Sequence, residues 1–82
     1  MNLKMKVNKT FEIIEVKFEE FESLTSTEMK KLYIGLISSK LQILYALLKK
    51  YEKQSPENFE FLKRKFLLFK NHNKELKNEI KK

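Results

Sequence analysis

The chain predicts an all-α protein: a long antiparallel helical hairpin with a shorter N-terminal helix, together a three-helix bundle. Three observations carry that reading. The 82 residues include one Gly and one Pro, which leaves few turns. Between Ser26 and Gln54, apolar residues fall at Ile34, Ile37, Leu41, Leu44, Leu48 and Tyr51, an unbroken coiled-coil spacing of three and four. A second stretch behind Ser55-Pro56-Glu57 puts Phe59, Leu62, Phe66, Phe69, Asn73, Leu76 and Ile80 on the same repeat.

The central helix, residues 26–54, organises the rest. Thr25 and Glu28 suit a capping box, in which each side chain accepts from the other's backbone N–H, with Leu24 and Met29 as its hydrophobic staple. A second apolar column of Tyr33, Leu36, Ile43 and Leu47 widens the stripe, so the helix should be covered from two sides. Gly35 sits in mid-helix and suits close approach of a neighbour, at a cost of ~1 kcal/mol in helix propensity.

Residues 1–9 read as an arm or lead-in, with Leu3, Met5 and Val7 alternating with Lys4 and Lys6. Residues 10–24 fit two patterns. As a helix, Val7, Phe11, Ile14, Phe18 and Phe21 make a seam flanked by Glu12, Glu15, Glu19 and Glu22, and this is the favoured reading. As a strand, Ile14, Val16 and Phe18 alternate with charges, giving an N-terminal β-hairpin of residues 3–7 with 11–18. The third helix covers residues 56–80, with Ser55 as cap and Pro56 in its first turn. Its partner lies antiparallel across a very tight turn at Gln54 and Ser55, and its last residues, from Asn78 on, should fray.

Residues 1–82 are expected to form one small domain. With no Cys there is no disulfide and no thiolate, which fits the reducing cytoplasm, the expected location. The basic start lacks an apolar core behind it, and no uninterrupted apolar run nears the ~18 residues of a membrane span.

Little suggests catalysis, cofactor or metal, and a non-enzymatic protein is expected. His72 has Lys70, Asn71, Asn73 and Lys74 around it, with no acid to fix its tautomer and no second His or Cys to share a metal; it reads as a polar surface residue. The glutamate ladder has the spacing of a solvated helix stripe, and one Gly cannot build a phosphate loop.

The net charge of +7 is unevenly spread. Residues 10–28 hold six Glu and one Lys, net −5; residues 29–82 hold fourteen Lys or Arg and five Glu, net +9. A column of Lys63, Lys70 and Lys77 is expected to pair with the glutamates of the first helix. Alternatively Lys49, Lys50 and Lys53, with Lys63, Arg64 and Lys65 across the turn, form a phosphate-binding face for RNA or DNA. A lone Arg weakens that alternative, since bidentate phosphate recognition favours Arg. Asn73 on the seam reads as wet, beyond the end of the bundle, rather than as a buried amide that fixes register.

Three apolar residues of the third helix lie off its seam. Phe61 and Leu68 share a column, and Leu67 lies on another side. Unless the first helix covers that column, they offer an interface to another protein or to a second copy, as in a homodimer. The leading expectation is therefore a protein-binding module: a small adaptor, a chaperone-like binder or an inhibitor of a larger protein.

Overall fold

A computed structural model describes residues 2–81; Met1 and Lys82, the ends of the expected arm and of the expected fraying tail, lie outside the described residues. The order is α1 (Leu3–Glu22), α2 (Thr27–Gln54) and α3 (Pro56–Lys81), and no strand occurs among the described residues. The all-α prediction holds, and the N-terminal β-hairpin does not form. The long dimension is 41 Å, about one 28-residue helix at ~1.5 Å per residue, so α2 and α3 lie side by side.

α1 is longer than the sequence suggests. Residues 3–9 are its first turns rather than an arm, because Asn2 caps them: its side-chain oxygen accepts from the Met5 N–H at 2.8 Å. Val7 thereby enters the core with no exposed surface, one turn ahead of Phe11. The helix ends at Glu22, and Val16, which a strand would have buried, stands half exposed.

The cap of α2 also differs. Ser26, not Thr25, is the N-cap, and its hydroxyl accepts from the Met29 N–H at 3.4 Å. The third helical position is then Met29, which has no carboxylate to reach back, so the Thr25–Glu28 box and its staple are not made. Met29 stands 41% exposed. Ser55 alone separates α2 from α3, donating its N–H to the Tyr51 carbonyl at 2.9 Å while its carbonyl accepts from the Phe59 N–H. The very tight turn is as expected.

The core follows the predicted seams. Val7, Phe11 and Ile14 meet Ile37, Leu41, Leu44 and Leu48 of α2 and Phe59 and Phe66 of α3, with Phe18, Leu47, Leu62 and Phe69 packed against them. The Phe69 ring stands edge-on to both Phe11 and Phe18, at 5.3 and 5.7 Å between centroids. Both outer helices rest on α2. α1 takes the edge of α2 marked by Tyr33, whose hydroxyl donates to Glu20 at 2.9 Å beneath the Lys17 ammonium. That bond pushes the Tyr33 phenol above its ordinary 10.0, with desolvation and the Glu20 charge adding in the same direction.

Four further expectations change. Leu36 and Ile43 of the second column are not covered; they are 42% and 49% exposed, because α1 settles on the Tyr33 edge instead. Gly35 admits no close neighbour, since a Cβ there would meet nothing within 4 Å. Gly35→Ala should therefore raise stability by up to ~1 kcal/mol, read as a higher urea midpoint at unchanged slope. Asn73 is buried rather than wet: its amide nitrogen donates to Ser38 Oγ at 2.9 Å and lies 3.5 Å from the Ile34 carbonyl. The lysine column does not pair with α1; the ion pair between α3 and α1 is Lys65 with Glu15 at 3.3 Å, from the neighbouring column.

Candidate functional site

The clearest features of the surface are apolar. The chain exposes 6061 Å², whereas a folded monomer of 10.0 kDa is expected to expose about 5,200 Å².

α3 carries the most exposed of these side chains. Phe61 is 72% and Leu68 68% exposed, and two helical turns separate them on one column. α1 does not cover this column. Leu67, grouped with them as interface in the sequence, belongs elsewhere: it lines a groove of about 830 Å³ between α2 and α3. The buried Leu41 and Phe66 form its floor, Tyr45 is half exposed beside them, and Lys70, Lys74 and Lys77 line it too.

The six cations proposed as a phosphate face do not converge. Lys63, Arg64 and Lys65 are consecutive, so their side chains leave α3 about 100° apart. Lys65 is turned onto α1, 4.7 Å from the Phe11 ring centroid and 5.7 Å from that of Phe69. Lys63 lies over Phe59, and Lys49 over Tyr45. Lys50 and Lys53 do come together, in a small groove with Lys6, Leu3 and Leu47 where the start of α1 meets the end of α2. Lys6 is a member that the sequence does not reveal, because residues 1–9 read as an arm and only the structure makes them the first turns of α1. His72 is exposed, as expected, with its ring 4.5 Å from that of Phe18. Among the described residues, no group of three His, Cys, Asp or Glu side chains is placed to hold a metal.

A further surface is the outer side of α2. Met29, Leu32, Leu36 and Ile43 are 41–54% exposed there. With Ser39, Ala46 and Lys50, all exposed, they complete a second spacing of three and four on the side away from the core. By length and composition α2 is apolar enough to cross a membrane, with a window of mean hydropathy 1.2 that is 28% buried in the bundle. Ser38, Ser39, Lys40 and Gln42 interrupt it, which is why no uninterrupted run marks it.

The chain matches no family model, no curated protein and no solved structure, so these surfaces carry the functional argument by themselves.

Proposed function

We propose that the chain is a non-enzymatic protein-binding module that holds a larger protein through the outward face of α3. The observation that carries this reading is the Phe61–Leu68 column: two large apolar side chains, each more than two-thirds exposed, two turns apart on a regular helix. Anchors at that spacing suit a helix or groove on a partner. Covering both would contribute on the order of 3–6 kcal/mol, at ~1.5–3 kcal/mol per side chain and before association costs. The phosphate-binding alternative is the weaker reading, since its six cations point in several directions.

Phe61→Asp combined with Leu68→Asp should leave helix content unchanged and weaken partner binding by roughly 10²–10⁴-fold. The immobilised parent and variant, exposed to proteins of the native host, test this. A partner retained at stoichiometric yield by the parent and lost by the variant is the expected result. A partner retained equally by both would remove the column from the binding site. Salt-sensitive retention of RNA or DNA alone, with a log–log slope of about −0.7 to −0.9 per phosphate, would favour the alternative.

A further inference from the structure

The exposed seam on α2 is independent of the α3 column, and the charge of the α1–α2 layer indicates what covers it. α1 and α2 run antiparallel: Leu3 and Lys6 lie beside Leu47, Lys50 and Lys53, whereas Glu20 lies beside Tyr33 at the other end. One end of the layer therefore gathers Lys4, Lys6 and Lys9 of α1 with Lys49, Lys50, Lys53 and Glu52 of α2, six cations and one anion, net +5. The other end gathers Glu12, Glu15, Glu19, Glu20, Glu22 and Lys17 with Glu28, Lys30 and Lys31, six anions and three cations, net −3. Between the two ends run Met29, Leu32, Leu36 and Ile43.

We infer that this face binds a second copy of the chain, antiparallel, about a two-fold axis near the middle of α2. Such an axis sets the basic end of each copy on the acidic end of the other. The groove of Lys6, Lys50 and Lys53 then receives the acidic end of the second copy, around its Glu28. A parallel arrangement would oppose like charges at both ends. The apolar spacing of three and four is the pattern by which helices interlock, and Ser39 and Ala46 leave room for large side chains from the facing helix. The Phe61–Leu68 column stays free in this dimer, so self-association and partner binding are separable.

Sedimentation equilibrium tests the inference on the full chain. The parent should be dimeric at micromolar concentration, with a dissociation constant that rises with salt. Leu36→Glu with Ile43→Glu should give a monomer of unchanged helix content, whereas Phe61→Asp with Leu68→Asp should stay dimeric. Charge reversal gives the sharper test. Lys50→Glu with Lys53→Glu, and separately Glu19→Lys with Glu28→Lys, should each weaken the homodimer about tenfold or more. Mixed one to one, the two variants should bind each other at least tenfold more tightly than either binds itself, because only an antiparallel pair sets the introduced glutamates against the introduced lysines at one end and keeps the native opposition of charge at the other. A parent monomeric at high micromolar concentration would overturn the inference. So would a dimer that survives the Leu36 and Ile43 changes, or a mixture that gains nothing over its separate components.

Discussion

Phe11→Ala should cost about 3–5 kcal/mol, the range for emptying a fully buried aromatic site. Phe11 is 1% exposed and joins all three helices: it lies in the core with Leu41 and Leu44, its ring meets the edge of Phe69, and the Lys65 ammonium lies over it. At ~0.05–0.15 kcal/mol per residue, a chain of 82 residues has only about 4–12 kcal/mol of total stability. The variant should melt roughly 15–30 °C below the parent, and at the low end of that stability it should be substantially unfolded at 25 °C. Thermal and urea unfolding followed by circular dichroism read the effect. A loss below ~1 kcal/mol would mean that α1 is not docked on α2. Phe61→Ala supplies the contrast: the same residue type, 72% exposed, should change monomer stability by less than ~0.5 kcal/mol.

Asn73→Asp should cost ~3 kcal/mol or more at neutral pH. The amide is buried between Ile34 and Ser38, and it satisfies its surroundings as a donor. A carboxylate there loses both N–H groups, faces the Ile34 carbonyl oxygen, and gains at most one bond from the Ser38 hydroxyl. Burial disfavours its charged form, so the introduced carboxyl has a raised pKa in the folded state. The sign follows. The variant should be most stable below the ordinary carboxylate range, and stability should fall as pH rises from there through the raised pKa. A urea titration against pH would show the variant diverging from the parent on the alkaline side. Equal midpoints at pH 7 would place Asn73 in water. Asn73→Leu gives the opposite result. The amide oxygen has no partner, so an apolar side chain of similar volume should be tolerated with little loss.

The core was legible because it repeats. Ile34, Ile37, Leu41, Leu44, Leu48 and Tyr51 all enter it as their spacing indicates, and all are buried. The elements misread depend on single side chains or on contacts distant in sequence. The first turns of α1 hinge on Asn2, whose value as a cap is hidden by the alternation of Leu3, Met5 and Val7 with lysines. Asn73 depends on Ser38, thirty-five residues away, which no local pattern reveals. Among the candidate surfaces, Phe61 and Leu68 were readable from their distance to the α3 seam. The outer face of α2 is visible in the sequence as apolar, yet its exposure follows only once Val7, Phe11 and Ile14 are packed into the core, which sets α1 on the Tyr33 edge and leaves Leu36 and Ile43 uncovered. The convergence of Lys6 with Lys50 and Lys53 needed the antiparallel placement of α1 first.

The single residue between α2 and α3 also governs how chains assemble while they fold. If Ser55 were helical, α2 and α3 would join into one rod of roughly 80 Å, and α3 could complete its core only on another chain. Pro56 opposes that route. It has no N–H for a helical bond, its ring collides with the carbonyl one turn back, and it steers Ser55 out of the helical region, to φ −148° and ψ 78°. The hairpin therefore closes on itself, between segments adjacent in the chain, where loop-closure entropy is small and folding is fast. Pro56 thus acts as a kinetic guard against domain swapping, keeping α3 on its own chain.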